Sequence, residues 1–410
     1  MMNVLYVGKL FPRELVKTVA DDSRGKMGMS NHNFEMSILN GLAKQENAHV
    51  KCVIAPGVYS FPHNNRRIFT HAEHYEHNGV DVHSVSFCNL LVLNRIWLTI
   101  SLLCALVRCI KSFPRGERVN VVLNTPAYFY LLAIKIARAL SGRKTTLTVV
   151  IPDIPSMVTA MDRQNRMKHL FVGYMDRASM RMTSQADGLV LLTEAMMDFV
   201  GSPLPHIVME GIVDVETMSA GKRVPLSDNR AILYTGTLRR IFGVMNLVEA
   251  FGRVSNRDAE LWICGSGDSE DAIKRAAALD PRIKFYGLVD SRKALELQRK
   301  AAILVNPRTS EGRYTRYSFP SKTMEYLLAG RSTVINRLPG IPDEYYDYVY
   351  TPADESVEAL AATLSEVLEI PAAHRERRAA DGRSFIVERK NSRVQVQRIL
   401  SLIESYKNNR

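Results

Sequence analysis

The sequence predicts an α/β protein of two domains, each with parallel strands that alternate with helices. Three observations predict this fold class. With 410 residues the chain is too long for one ordinary core and fits two domains of about 200 residues each. Short apolar runs, such as residues 4–7, end in a glycine and lead through a polar loop into a helical pattern. The pattern of residues 303–338 predicts one strand, one helix and a second strand.

The first domain is expected at residues 1–210. Apolar runs predict strands at residues 4–7, 50–55, 119–123, 145–151 and 188–193. Helical spacing of apolar residues predicts helices at residues 31–45, 128–140 and 162–186. A polar segment with a proline at residues 221–229 fits a linker and places the domain boundary near residues 205–230.

The second domain is expected at residues 211–390. Its strands are predicted at residues 231–234, 260–264, 283–286, 301–305 and 333–335. Its helices are predicted from Val244 and at residues 293–300, 356–368 and 372–388, and a last helix at residues 392–407.

Composition indicates a globular protein with large cores, since 46% of the residues are hydrophobic and 23% are charged. Lys and Arg outnumber Asp and Glu by 54 to 42, and the excess is divided between both halves of the chain. No zinc finger or RNA-binding aromatic motif accompanies this charge. We therefore expect anionic small molecules or an anionic membrane surface as partners, and no nucleic acid.

The cysteines predict a reducing compartment. They are odd in number, form no Cys-x-x-Cys pair and lie mostly among apolar residues: Cys52, Cys88, Cys104, Cys109 and Cys264. The first residues enter a strand without a charged and then apolar leader. We expect a cytoplasmic protein.

The most apolar window, residues 90–110, contains Asn94, Arg95 and Arg108, whereas a spanning helix needs about 20 nearly uninterrupted apolar residues. We expect a buried core helix, with a helix on the membrane surface as the alternative. The basic, amphipathic residues 162–186 suit a peripheral contact with an anionic membrane, although a solvated packing helix is the commoner role.

Histidines are concentrated between residues 63 and 83. His71, His74 and His77 recur at intervals of three, which would align them on one face of a helix. No cysteine or carboxylate pattern supports a metal site there, so we expect a polar, partly irregular surface and no metal.

The loop and helix start within residues 303–338 suit a nucleotide. Ser318 or Ser321 can cap a helix that opens near Pro320, and such an opening binds phosphate. Lys322 adds a cation in the first turn, and Glu325 offers acceptors for a hydroxyl pair such as that of a ribose. The alternative is an ordinary strand–helix–strand unit with a solvated Glu325.

A second phosphate-binding turn is predicted after residues 231–234. Gly236 and Thr237 precede Arg239 and Arg240, and a helix begins at Val244. Surface arginines without a ligand are the alternative.

These segments resemble the signatures of retaining glycosyltransferases of family 4, the glycosyl transferases group 1. Glu325 matches the second of the family's two glutamates, and the sequence SFPSK-x-x-EY resembles its capsular and exopolysaccharide branch. Tyr317 stands where the first glutamate is expected, and Thr237 and Phe242 replace two basic positions. Arg239 or Arg240 is then left to bind the phosphate, and we favour Arg240.

The resemblance implies an α/β fold with two Rossmann-like domains facing a cleft, called GT-B. Residues 391–410 would form a helix that crosses back to the N-terminal domain. The C-terminal domain would bind the donor through Gly236, Thr237, Arg239, Gly265, Tyr317, Ser318, Phe319, Pro320 and Ser321. The implied catalytic residues are Arg240, Lys322, Glu325 and Asp153.

The N-terminal domain is implied to bind the acceptor. Its first loop and helix start supply Gly28, Asn31 and His32, although capping or a surface position is an alternative role for His32. Asp153, between Pro152 and Pro155 at a strand end, is assigned to orienting or deprotonating the acceptor, with helix capping as the alternative.

The expected activity is that of a retaining glycosyltransferase. It moves a sugar from a UDP- or GDP-linked donor to a glycan or lipid-linked acceptor in surface polysaccharide biosynthesis. No cofactor is expected, and the sequence has no Asp-x-Asp triplet for a metal. Two alternatives stay open: a non-catalytic partner in a polysaccharide assembly, and a sugar-nucleotide epimerase or phosphorylase.

Overall fold

The computed structural model describes residues 1–11, 29–55, 61, 66–90, 93–154, 166–201, 203–218 and 230–406. The chain divides into two compact units, residues 1–214 with 392–410, and residues 215–391. Residues 392–410, expected to return to the N-terminal domain, belong to the first unit. The predicted linker at residues 221–229 and Gly28 lie outside the described residues.

The first unit contains an eight-stranded sheet with the order β10-β9-β8-β7-β1-β2-β5-β4. All neighbours in it are parallel except β4, which pairs antiparallel with β5. β3 and β6 form a separate antiparallel pair. The strands are β1 (Met2–Gly8), β2 (Ala48–Ile54), β3 (Phe69–Thr70), β4 (His74–His77), β5 (Val80–Ser84), β6 (Phe87–Cys88), β7 (Val119–Asn124), β8 (Thr145–Ile151), β9 (Gly188–Leu191) and β10 (His206–Val208).

Helices cover both faces of this sheet, so β1, β7 and β9 are buried along their whole length. The helices of the first unit are α1 (Met29–Ala43), α2 (Leu93–Ser112), α3 (Tyr128–Ser141), α4 (Arg166–Thr183) and α5 (Met197–Val200). Side chains of α2 and α3, together with Met180 of α4, share one core with Leu5 and Val7 of β1. The other face of β1, with Val4 and Tyr6, packs against α1 and the last helix.

The second unit has a five-stranded parallel sheet with the order β13-β12-β11-β14-β15. Its strands are β11 (Ala231–Thr235), β12 (Glu260–Cys264), β13 (Ile283–Gly287), β14 (Ile303–Asn306) and β15 (Ser332–Ile335). The helices are α6 (Val215–Met218), α7 (Val244–Gly252), α8 (Glu270–Leu279), α9 (Ser291–Lys300), α10 (Lys322–Ala329), α11 (Val357–Glu369) and α12 (Ala372–Arg389). α7 and α11 pack on one face, and Leu297 of α9 and Tyr326 of α10 pack on the other.

The last helix, α13 (Ser392–Ser405), packs against α1 in the first unit. Its residues Val396, Ile399, Leu400 and Ile403 are buried there. Beyond it, the hydroxyls of Tyr406 and Thr148 are 3.0 Å apart, which links the end of the chain to β8.

His74 and His77 lie in strand β4, where a polar, partly irregular surface was expected. The expectation for residues 90–110 needs a correction. Residues 90–110 were judged too polar for a spanning helix, yet among the described residues α2 alone is long and apolar enough to cross a membrane by length and composition. Only 28% of its most apolar window is buried, so α2 is a core helix on one side alone.

Candidate functional site

The turns at Gly236 and Gly265 lie close together at the carboxyl edge of the second unit's sheet. The Gly236 N–H donates to Cys264 O at 3.0 Å, and the Gly265 N–H donates to Gly287 O at 2.8 Å. Gly265 has a φ of 143°, and a Cβ there would lie 1.8 Å from Gly236 O. Only glycine fits this approach, so the predicted residues Gly236 and Gly265 lie together where ligands of such sheets bind.

The turn after β11 is held by its backbone. Leu238 donates its N–H to Ser266 O at 2.9 Å, and Arg240 donates its N–H to Asp268 Oδ1 at 2.8 Å. Thr237 and Arg240 are exposed, whereas Arg239 is half-buried. The backbone is therefore fixed, and the Arg240 side chain faces solvent.

Arg308 is a candidate that the sequence analysis did not select. It follows β14, and its guanidinium carbon lies 4.7 Å from the ring centre of Phe242 and 4.8 Å from that of Tyr314. Its Nη1 donates to Ser318 Oγ at 3.4 Å, while its buried Nε has no hydrogen-bond partner. The guanidinium thus lies beside Phe242, the position where the resemblance led us to expect a basic residue, and next to Ser318.

Arg239 shares this cluster, with its guanidinium carbon 5.9 Å from the ring centre of Phe242. The Tyr314 hydroxyl donates to Ile241 O at 3.2 Å and ties the loop after β14 to the turn after β11. Two segments far apart in sequence thereby present their arginines around one aromatic ring.

Helix α10 begins at Lys322, later than the predicted opening near Ser318 or Pro320. Ser321 occupies the N-cap position, but its side chain makes no capping hydrogen bond, and the Ser318 hydroxyl faces Arg308 instead. Serine capping, predicted from the sequence, is therefore wrong for both residues.

Lys322 and Glu325 form an ion pair, with Nζ and Oε2 2.5 Å apart and both side chains partly exposed. The Tyr326 hydroxyl accepts from the Thr235 N–H at 3.0 Å and donates to Thr235 O at 3.2 Å. Tyr326 thereby fixes the rotation of α10 against β11. The predicted cation and carboxylate are side by side on the helix, and each neutralises the other.

Other predicted donor-binding side chains are in the core. Tyr317, Phe319 and Pro320 are buried, and the ring of Phe319 packs 5.3 Å from that of Tyr345. Ser318 is half-buried and Ser321 is exposed. Gly340 allows the fold here, because a Cβ on it would lie 2.2 Å from Ser318 O.

The side chain of Glu35, a residue of α1, lies at the carboxyl end of β1 in the first unit. Its Oε2 accepts from the Lys9 N–H at 2.7 Å and from the Tyr6 hydroxyl at 3.5 Å, and a Cβ on Gly8 would collide with it. Burial raises the pKa of Glu35 to about 7, although the hydrogen bond from Lys9 opposes the shift. A buried carboxyl that titrates near neutrality lies at the ligand-binding edge of this sheet.

The next strand end, after β7, shows backbone strain. Thr125 has a φ of 70°, rare for a β-branched residue, and the buried Oδ1 of Asn124 makes no hydrogen bond. Strained residues cluster at functional sites, and β7 neighbours β1. The sequence analysis did not select these residues, since backbone strain is not visible in a residue pattern.

Of the predicted acceptor residues, Asp153 lies after β8 with an exposed side chain, and Asn31 is exposed on α1. His32 is half-buried, and its Nδ1 accepts the Phe11 N–H at 3.3 Å. Burial lowers the pKa of His32. His32 therefore holds the chain after β1, a contact that neither the acceptor role nor the capping or surface alternative had foreseen.

A cluster of His74, Asp81 and His83 lies on the β4–β5 hairpin, with ligand atoms all within 4.8 Å of one another. The side chains already pair: His74 Nε2 is 2.5 Å and His83 Nε2 is 3.1 Å from Asp81. Burial alone would raise the pKa of Asp81, but the hydrogen bonds with His74 and His83 outweigh this effect and lower it. Lys51 Nζ lies 3.9 Å from the same carboxylate. The cluster is complete as a hydrogen-bonded group, and the absence of a metal stays a prediction.

Comparison with known proteins gives a family match for part of the chain. Residues 229–369, which contain the turns after β11 and β12 and helix α10, match the family described as glycosyl transferases group 1. A search of the curated proteins gave no match.

Solved structures share the fold at low identity. Sucrose-phosphate synthase from Thermosynechococcus elongatus is 13% identical with a TM-score of 0.62, and the match covers 100% of both chains. Anabaena HepE in complex with UDP is 14% identical with a TM-score of 0.61, covering 98% of this chain and 100% of that one. The lipopolysaccharide outer core galactosyltransferase WaaB is 13% identical with a TM-score of 0.58, covering 98% and 99%. The chain therefore has the GT-B fold of two Rossmann-like domains, and residues 229–369 of its second unit match the glycosyl transferases group 1.

Proposed function

We propose that this chain moves a sugar from a nucleotide-sugar to a glycan or lipid-linked acceptor in surface polysaccharide biosynthesis, with retention of configuration. The donor is bound at the carboxyl edge of the second unit's sheet. A UDP-linked sugar is favoured over a GDP-linked one because Anabaena HepE is solved with UDP and with UDP-glucose. The acceptor class is suggested by WaaB, named as a lipopolysaccharide galactosyltransferase.

The observation that carries the proposal is the position of Arg308. Its guanidinium contacts the rings of both Phe242 and Tyr314, and its buried Nε has no hydrogen-bond partner. An unpaired buried donor on a cation favours an anionic ligand. The exposed Arg240, on the neighbouring turn, adds a second positive charge.

These groups suit the chemistry of the donor. Breaking the bond between the anomeric carbon and the phosphate develops negative charge on the departing diphosphate. Arg308, Arg240 and Lys322 would stabilise that charge as cations, and electrostatic stabilisation is the largest single contribution such a site offers. We infer that the reaction needs no resident metal.

On donor binding, Lys322 and Glu325 would separate and contact different parts of the donor. Lys322 turns to the diphosphate, and Glu325, freed from it, accepts hydrogen bonds from the ribose. Exposed ion pairs of this kind contribute about 0–1 kcal/mol, so separating them opposes binding only weakly.

The acceptor side is assigned to the first unit. Asp153 would orient the acceptor hydroxyl, and Asn31, His32 and Gly28 are the other proposed acceptor contacts. Because the five cysteines are free thiols, we propose a cytoplasmic protein at the inner face of the membrane.

A thermal-shift screen tests the donor. UDP, GDP and ADP, and then UDP- and GDP-linked sugars, are added to the intact chain. A ligand at about 100 times its dissociation constant stabilises by about 2.7 kcal/mol, so we expect UDP and UDP-sugars to raise the melting temperature of the second unit. An unchanged melting temperature with every one of these ligands would contradict a nucleotide-sugar donor.

A non-catalytic role in a polysaccharide assembly is the second candidate. It is favoured by Tyr317, a buried tyrosine where the resemblance led us to expect the first of the family's two glutamates. It requires donor binding without turnover, whereas the transferase consumes UDP-sugar once acceptor is supplied. Conversion of the donor alone into another nucleotide-sugar would instead indicate an epimerase.

A further inference from the structure

Helix α2 carries large apolar side chains on two opposite sides. One side is buried in the core and consists of Leu98, Leu102, Leu106, Cys109 and Ile110. The outer side presents Leu93, Ile96, Trp97 and Ile100, which are 54%, 57%, 49% and 56% exposed. Their spacing places them on one face of the helix. Solvation of such a face is unfavourable, so it requires a partner.

The exposed surface continues beyond the helix. Ile68, Phe69 and Leu90 are also exposed, and the Asn89 N–H donates to Ile68 O, which joins the β3–β6 pair to the residues just before α2. We call these residues and the outer side of α2 the apolar patch. It consists of Ile68, Phe69, Leu90, Leu93, Ile96, Trp97 and Ile100.

The neighbouring helices extend this surface. Among the described residues of the first unit, the exposed large apolar side chains outside the patch are Met1, Ile136, Leu140, Leu170 and Tyr174. Apart from Met1, they lie on α3 and α4, and α3 packs between α2 and α4. Because one face of this helix layer covers the core, its outer face is turned away from the sheet.

The charge of this region identifies the partner. Residues 82–152 contain one acidic residue, Glu117, and nine basic ones: Arg95, Arg108, Lys111, Arg115, Arg118, Lys135, Arg138, Arg143 and Lys144. The segment thus supplies +8 of the chain's net charge of +12. Arg108 and Lys111 are exposed on α2 itself. Two copies of this surface would repel each other, whereas an anionic lipid surface attracts it.

Insertion across the bilayer is disfavoured although α2 is long enough. Crossing would remove Leu102 and Leu106, both fully buried, from the core of the first unit. A helix that lies in the interface keeps them buried and immerses only its outer side. Trp97 suits that depth, because tryptophan is enriched at membrane–water interfaces.

We propose that the apolar patch docks the first unit on the surface of an anionic phospholipid bilayer, with α2 lying in the headgroup region. The sequence had suggested residues 162–186 for such a contact, and for α2 a core position with a helix on the membrane surface as the alternative. The proposal does not depend on the nucleotide donor, so it can fail or hold independently of the transferase activity.

Co-sedimentation of the intact chain with vesicles tests the docking. We expect binding to phosphatidylglycerol vesicles, weaker binding to phosphatidylcholine vesicles, and at least about tenfold weaker partitioning for the Ile96→Glu/Ile100→Glu variant. The matched control is Leu279→Glu/Leu288→Glu, which changes two exposed leucines of the second unit and should bind like the parent chain. Equal loss in both variants, or no binding by the parent, would overturn the proposal.

Tryptophan fluorescence gives a second measurement that leaves the apolar patch unchanged. The chain has two tryptophans, and in a Trp262→Phe background Trp97 reports alone. Its emission should shift to the blue with phosphatidylglycerol vesicles. An unshifted emission under binding conditions, or a dimer in sedimentation velocity that Ile96→Glu/Ile100→Glu abolishes, would show that lipid is not the occupant.

Discussion

Glu35 is the buried side chain whose ionisation the fold changes most clearly within the accessible pH range. Its carboxylate is enclosed by Tyr6, Gly8 and Lys9 and is 1% exposed. Burial raises its pKa from 4.5 to about 7, so the folded chain retains the proton that the unfolded chain releases. Stability from this residue is complete below the unfolded pKa and is lost as the pH rises to the folded pKa.

Replacing Glu35 by Gln should remove that dependence. The shift corresponds to about 3 kcal/mol between pH 4.5 and pH 8, by which the wild-type first unit should lose more stability than the variant. Denaturant unfolding at both pH values measures the difference. The exposed Glu46→Gln is the control and should follow the wild type, and an unchanged slope for Glu35→Gln would contradict a buried titrating carboxyl.

For single residues, the sequence predicted which residue types form the candidate site, but not how each side chain is paired or buried. Lys322, Glu325 and Arg240 were selected from motif positions, but the ion pair of the first two was not foreseen. Arg308 was not chosen, because its contact with Phe242 joins residues 66 positions apart. Glu35 gave no signal, since burial depends on the sheet and not on neighbours in the chain.

The glycine turns are the elements that shape the candidate donor site. Gly265 combines a positive φ with the approach of Gly236 O, so a side chain meets both backbone strain and a collision. Gly287, at the end of the next strand, has a φ of 66°, and a Cβ added to it would meet no atom within 4 Å. Substitution at Gly265 therefore tests strain and collision together, whereas substitution at Gly287 tests strain alone.

Gly265→Ala should lower the unfolding free energy of the second unit by at least about 3 kcal/mol. Gly287→Ala should cost only about 1–2 kcal/mol, the strain of a left-handed conformation. Calorimetric melting of both variants provides the comparison. Equal losses of unfolding free energy in the two variants would mean that the backbone at Gly236 O moves away from the added Cβ at little cost.

Most elements were predictable because apolar periodicity follows directly from burial in a parallel sheet. The predicted strand at residues 260–264 is β12, and the predicted helix at residues 128–140 is α3 to within one residue. The start of α10 was placed too early, because capping depends on where the Ser318 and Ser321 side chains turn. The strand β4 was missed because it is short, polar and lies at the sheet edge.

The last helix, α13, completes the core of the first unit. α13 buries Val396, Ile399, Leu400 and Ile403 against α1 and β1. Gln395 also donates to Gly211 O at 2.9 Å. The residues that complete the first core therefore follow the whole second unit in the sequence.

A chain ending at Asn391 should therefore lose the melting transition of the first unit and keep that of the second, which retains its whole core. Burial of four such side chains contributes about 1.5–3 kcal/mol each, comparable with the total stability of a domain. Differential scanning calorimetry resolves the two transitions. Ser401→Ala, at an exposed position of α13, is the control, and retention of both transitions by the shortened chain would refute this view of α13.

The central claim is that arginines gathered at the sheet edge of the second unit bind a nucleoside diphosphate. Calorimetric titration of UDP into the wild type, Arg308→Ala and Arg275→Ala tests it most directly. Arg308→Ala should weaken binding by about 1.5–3 kcal/mol, as expected for a charge-assisted contact. Arg275→Ala, which removes an exposed arginine of α8, should leave the affinity unchanged. Equal UDP affinity in the wild type and Arg308→Ala would contradict the claim.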